Sequence, residues 1–194
     1  MSTQKKIYVY RHGPKASGPA KTGGSNLAVA LTPEGETMMM EAARGHIAAN
    51  GCPIAVYCSP AVRTYQTGMF FAMMANRNFP VPEDCLLGRH EQWESFNVGK
   101  NPTAIDFYND KPGFVKEEAM TILLFIKRVA RGLLPGETAV CVSHGALIEP
   151  TVALALKEGN HLPLESLMPE DLREGEAAVF VFDEENNVVE ARKC

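Results

Sequence analysis

The sequence predicts an α/β fold with a largely parallel central sheet. Two observations carry that expectation. Short runs of strand-forming residues alternate with long helical patterns along the chain. Three of those runs stop abruptly on polar or turn-forming residues, at Arg11-His12-Gly13, Ser59-Pro60 and His144-Gly145. In sheets of this class ligands bind at the carboxyl ends of the strands. The length of 194 residues suits one domain, 1–194.

Residues 7–11 form the first expected strand. "PKASGPAKTGGSNLAVA", 14–30, is rich in Gly, Pro, Ala and Ser and reads as a long, functional type of loop. "LTPEGE" then opens a helix. Thr32 suits the N-cap, Pro33 the first helical position, and Glu34 and Glu36 the first turn. That helix runs to about Ala49 and stops at Asn50 and Gly51. "IAVYCSP", 54–60, is a second buried strand, and a helix beginning near Ala61 carries Arg63 in its first turn. Residues 85–101 read as irregular. Residues 114–133 are helical, with Phe114, Ile122, Leu123, Ile126, Val129 and Leu133 on one face. "ETAVCVSHG", 137–145, is a third strand, followed by a helix from about Ala146 to Lys157. Two last strand-like runs, 177–182 and 187–192, flank "DEENN", a hairpin turn.

Composition narrows the function classes. Hydrophobic residues make up 45% and charged residues 22%, enough for a real core. The net charge is −4 and no basic tract is present, which argues against a nucleic-acid partner. No apolar run approaches the roughly 18–20 residues of a membrane span. "MSTQKK" leads into the first strand without the apolar stretch of a signal peptide. The five cysteines are scattered and lack CxxC spacing; Cys58 and Cys141 sit in apolar runs, as small core residues do. A reducing cytoplasm is the expected location.

The strand ends carry the chemistry. Arginine is a permanently cationic fork suited to phosphate oxygens, and an imidazole can attack phosphorus to form a covalent intermediate. Helix N-termini beyond Pro60 and Gly145 would add positive dipole ends. Together these residues read as an anion pocket that holds a nucleophile. Two histidines also suit a metal, but a metal needs further ligands, and Arg11 and Arg63 would repel it.

"RHG", "LTPEGE", "CSPAVRTYQT" and "VSHG", in this order and each at the right end of its element, resemble the histidine phosphatase superfamily, in its phosphoglycerate-mutase-like branch. The resemblance spans residue 7 to about 150. It implies a three-layer α/β/α sandwich. It makes His12 the nucleophile, and Arg11 and Arg63 the phosphate clamp. His144 becomes a second pocket histidine that stabilises charge in the transition state. Gly13, Lys15 and Ser59 are accessory candidates. The resemblance requires no metal and no cofactor.

The pattern breaks in two places. Where the branch continues with Thr and Asn after "RHG", this chain reads "PKASG". The general acid that protonates the leaving oxygen is usually a Glu followed by a Trp-containing stretch, and here the stretch is "CLLGRHEQWESF". One alignment puts Gly88 at the acid's position. A looser one, anchored on Trp93, offers Glu91, which we take as the acid ahead of Glu94, Glu83 and Asp84. The expected activity is a phosphatase acting on a phosphorylated small molecule or a phosphoprotein. The alternatives are a mutase, for which the chain is short, and a binding module that kept the clamp and lost the acid. Trp93, Phe96, Phe107 and Tyr108 are candidates for an apolar substrate wall, or ordinary core. His46 and His161 are read as structural or surface residues.

Overall fold

The computed structural model describes residues 4–16, 26–93, 96–98, 102–157 and 160–194; the side chains of Asn26, His90 and Glu91 lie outside that description. Six strands form one sheet: β1 (Lys5–Arg11), β2 (Ala55–Cys58), β3 (Val81–Pro82), β4 (Thr138–Ser143), β5 (Ala177–Phe182) and β6 (Val188–Lys193). Their spatial order is β3-β2-β4-β1-β5-β6. β1, β2, β3 and β4 run parallel, while β5 lies antiparallel to β1 and β6 antiparallel to β5. β4 is central and all six of its residues are buried.

Residue alternation along the strands sorts the core into two layers. Ile7 and Val9 of β1 face one side with Ala139, Cys141, Phe180 and Phe182. There they meet Ile122 and Ile126 of α5 (Pro112–Gly132) and Ile148 and Val152 of α6 (Gly145–Lys157). Tyr8 and Tyr10 face the other side with Val56, Cys58, Val140 and Val142. They pack on Met39 and Ala43 of α1 (Pro33–Asn50) and Phe71 of α2 (Val62–Met74). The expected α/β/α sandwich is therefore formed by helices on both faces of the sheet. Each fully buried large side chain, such as Phe71 or Phe180, contributes about 1.5–3 kcal/mol of burial.

The caps act as their residue types require. Thr32 Oγ1 accepts from Gly35 N at 3.0 Å, and α1 ends at Gly51 with φ 78°. β5 and β6 form the expected hairpin, closed by Asp183 N donating to Asn187 O at 3.1 Å.

Three elements depart from the sequence reading. β3 is a two-residue edge strand containing a proline, too short for any periodicity. A four-residue turn of helix, α3 (His90–Trp93), lies within the stretch read as irregular. α4 (Ala104–Asp110) starts on a reciprocal capping box between Thr103 and Asp106, a T-x-x-D signal that the apolar pattern alone does not reveal. Trp93, Phe96, Phe107 and Phe114 pack ring against ring, with Trp93 stacked on Phe96 at 5.0 Å, and join Tyr108 and Val115 in a satellite core.

Candidate active site

Three neighbouring strands end at one place. His12 follows β1 and its N–H donates to Ser143 O at 3.2 Å, so the β1–β4 ladder runs one step beyond the strand. Ser59 follows β2, with its N–H on Val142 O at 3.0 Å. His144 follows β4 and leads directly into α6. Arg63 reaches in from the first turn of α2. Of the residues expected from sequence, His12, Ser59, Arg63 and His144 are joined in one hydrogen-bonded network.

The donors in that network fix the ring tautomers. A guanidinium can only donate. Arg63 Nε donates to His12 Nε2 at 3.0 Å, so Nε2 carries a lone pair. The proton of the ring is then on Nδ1, which donates to Gly13 O at 2.7 Å. Arg63 Nη2 donates to His144 Nδ1 at 3.3 Å, which leaves the His144 proton on Nε2, 2.9 Å from Ser59 Oγ. Ser59 Oγ in turn donates to Thr64 Oγ1 at 2.8 Å, and Thr64 donates to Ala61 O at 2.7 Å. The two imidazoles stand edge to face, 5.3 Å between centroids. Thr64 lies beside Arg63 in the quoted motif, but its hydroxyl role needs the folded turn to be seen.

Electrostatics keep His12 neutral. Burial pushes its pKa down to about 3; the cations Arg63, Arg11 and Lys15 push the same way, against the hydrogen bond to Gly13 O. Arg63 is only 5% exposed, and burial lowers its pKa, yet a guanidinium remains charged. Lys15 is exposed and forms a bridge with Leu31. Partial desolvation of its ammonium lowers its pKa, as do Arg63 and Arg11, with Glu174 opposing.

Arg11 is placed differently from Arg63. Its Nη1 donates to Leu172 O at 2.6 Å, and its guanidinium packs flat against Gly145, where an added Cβ would lie 3.0 Å from Nη1. Glycine at the start of α6 thus makes room for the cation. The residue behind this placement, Leu172, contributes through its backbone and gives no side-chain signal in the sequence.

The acid candidates divide. Gly88 has φ +70°, and a Cβ there would overlap Glu118 Oε2 and lie 3.2 Å from Trp93 Nε1. Glu118, 5% exposed, is itself bound by Arg89, through N at 2.7 Å and Nε at 2.6 Å. A side chain at position 88 would therefore meet both backbone strain and an occupied volume. The segment is held beside β4 by Ser143 Oγ donating to Leu86 O at 2.6 Å. Glu83 pairs with Arg128 at 3.3 Å, and Asp84 begins a 3-10 turn. Glu91 lies on α3 with its side chain outside the described residues, and Glu94 lies outside them altogether. His46 is buried in the core and His161 is exposed. Among the described residues no group of three or more His, Cys, Asp and Glu is gathered to hold a metal ion, and no helix is long and apolar enough to cross a membrane.

Comparison with known proteins identifies the family and the fold. The sequence model of the histidine phosphatase superfamily (branch 1) matches residues 7–193. No curated protein matches the chain. Among solved structures, the native mycobacterial glucosyl-3-phosphoglycerate phosphatase superposes with a TM-score of 0.69 at 17% identity, covering 98% of this chain and 97% of that one. The protein histidine phosphatase SixA, complexed with tungstate, gives 0.61 at 16% identity over 97% and 94%. YhfR of Bacillus stearothermophilus gives 0.64 at 20% identity over 93% and 92%. At these identities the likeness is one of fold.

Proposed function

We propose that this chain, which belongs to branch 1 of the histidine phosphatase superfamily, hydrolyses phosphate monoesters through a phosphohistidine formed on His12. The observation that carries the reading is the tautomer of His12, whose Nε2 lone pair faces the Arg63 guanidinium while Nδ1–H is held by Gly13 O.

In the proposed reaction Nε2 attacks phosphorus in line with the leaving oxygen. The N–P bond forms as the P–O bond breaks, and the leaving oxygen takes a proton from the acid, which we assign to Glu91. Arg63 leaves the lone pair and, with Arg11 and His144, holds the phosphoryl oxygens. Water then attacks phosphorus and gives its proton to the carboxylate left on the acid, and the bond to Nε2 breaks, giving phosphate and the neutral histidine. Preorganised cations of this kind are worth about 10²–10³-fold each in rate. We propose one domain, 1–194, a reducing cytoplasmic setting, and a phosphorylated metabolite or phosphoprotein as substrate. The test is phosphoryl labelling: acid-labile, base-stable label is expected on the wild type and none on His12→Ala. Label retained by that variant would sink the mechanism.

Gly88 supports a second reading. With no side chain able to stand there, a substrate that needs little help from an acid fits the site. An aryl phosphate is one. A phosphorylated imidazole is another, since it takes up its own proton on the ring nitrogen remote from phosphorus. Hydrolysis of p-nitrophenyl phosphate and of a phosphohistidine peptide, with no turnover of alkyl phosphates, would select it. Retention of phosphate ligands without turnover of any of the three would instead favour the binding module.

A further inference from the structure

Glu149 is a buried carboxyl that the proposed reaction does not use. It sits in the second turn of α6, is 1% exposed, and is followed by Pro150. Its Oε1 accepts from Leu172 N at 2.8 Å, while Oε2 is buried without a hydrogen-bond partner among the described residues. The carbonyl of the same Leu172 accepts from Arg11 Nη1 at 2.6 Å, and Arg11 Nε is likewise buried without a partner. One backbone residue thus holds the guanidinium on one side and the carboxyl on the other. The loop around it grips Arg11 further: Arg11 N donates to Glu176 O at 2.9 Å, and Gly175 N donates to Arg11 O at 3.2 Å.

We propose that Glu149 is a positioning residue for Arg11: through Leu172 it fixes where the guanidinium stands, and through its own charge it sets how much of that cation a bound phosphoryl group meets. The proposal rests on the reading of Arg11 as a phosphate clamp. A neutral Glu149 leaves the whole charge of Arg11 for the anion. An ionised Glu149, with Oε2 unpartnered in a site of low dielectric, competes for the guanidinium and weakens the clamp. Both forms are accessible near neutrality, because burial pushes the Glu149 pKa up to about 7; Asp171 adds to the rise, and the bond from Leu172 N and the charge of Arg11 oppose it. Asp171, on the loop before β5, and Arg11 of β1 are the charged groups acting on it most. The elements packed on α6 contribute apolar side chains to the clusters they share with it: Tyr108, Val115 and Leu164 in one, and Ile7, Val9, Phe180 and Ala191 in the other.

The test is inhibition by tungstate, an oxyanion whose charge stays constant between about pH 6.5 and 8.5, so that any slope belongs to the protein. In the wild type Ki is expected to rise with pH by roughly 3- to 10-fold across that window, as Glu149 ionises. Glu149→Gln keeps an acceptor for Leu172 N but cannot ionise, and its Ki should be flat and near the low-pH wild-type value. Glu149→Ala loses the acceptor and should raise Ki about 10-fold at every pH, with a smaller change in kcat than in Ki. A wild-type Ki without slope, or the same slope in Glu149→Gln, overturns the proposal. Arg11→Met separates the two levels. If it leaves Ki unchanged, the clamp reading fails and takes this inference with it. If it raises Ki while Glu149→Gln keeps the slope, the assignment to Glu149 fails alone.

Discussion

Arg63 Nε donates to His12 Nε2 across 3.0 Å, so in the resting site a permanent cation occupies the lone pair of the proposed nucleophile. The contact holds the ring in its reactive tautomer and helps to keep it unprotonated. It must also break before Nε2 can reach phosphorus. An arriving phosphoryl group offers the guanidinium better acceptors than an imidazole nitrogen does, because charge-assisted bonds to anionic oxygen are the stronger kind.

Arg63→Ala should therefore lower kcat/KM on the order of 10²-fold or more, through loss of a cation from the transition state. The melting temperature should be nearly unmoved or raised, because Arg63 is buried and its removal ends a desolvation cost. Steady-state kinetics and a thermal melt decide it together. A normal rate with a clear drop in stability would make Arg63 structural.

Ser59→Ala tests the relay behind His144. It removes the hydroxyl that faces His144 Nε2 at 2.9 Å and keeps the contact from Arg63 to Nδ1. We expect kcat to fall about 10-fold, one hydrogen bond's worth of orientation, with KM little changed. Ser59→Thr, which keeps a hydroxyl, should recover part of the loss if it packs.

Glu91→Gln addresses the acid. Loss of about 10²-fold or more is expected on alkyl phosphates and far less on p-nitrophenyl phosphate, whose leaving group departs without a proton. The wild-type alkyl rate should decline as pH rises through the acid's pKa, and that limb should vanish in the variant. Small, equal effects on both substrates would remove Glu91 and pass the role to Glu94 or to no residue.

His46 predicts a pH dependence of stability. It is 3% exposed, with Tyr10 Oη 3.1 Å from its Nδ1, and burial lowers its pKa to about 4. Between its unfolded value of about 6.5 and that figure, the unfolded chain binds a proton that the folded chain refuses. Stability should therefore fall as pH falls through this window, by on the order of 3 kcal/mol for this residue. Urea melts at several pH values should show a shallower fall in His46→Gln. His12, with the same direction of shift, leaves a residual slope. An unchanged slope in the variant would exclude His46 as a source.

The strand ends are legible in the sequence because each pairs an apolar run with an abrupt polar stop, which puts His12, Ser59 and His144 at one edge of the sheet by pattern alone. Arg63 followed from its place in the first turn of a helix with a clear start. The handling of Arg11 was not legible, since Leu172 acts through peptide groups that every residue possesses. Nor was the meaning of Gly88: only the folded chain puts Glu118 and Trp93 against the place where its Cβ would be. β3 and α4 were missed for a simpler reason, being two and seven residues long.

The order of the strands has a consequence for how the protein comes into being. β1 and β2 both pair with β4, which lies between them and arrives some 80 residues after β2 in the chain. Until β4 is inserted, His12 and Ser59 sit on separate strands, each with an open edge, and have no common wall. The pocket is thus a product of long-range strand pairing rather than of local folding. A nascent chain that stops short of Thr138 carries the proposed nucleophile and the Arg63 clamp but cannot assemble them, and it exposes both edges of β1 and one of β2 to any other strand it meets.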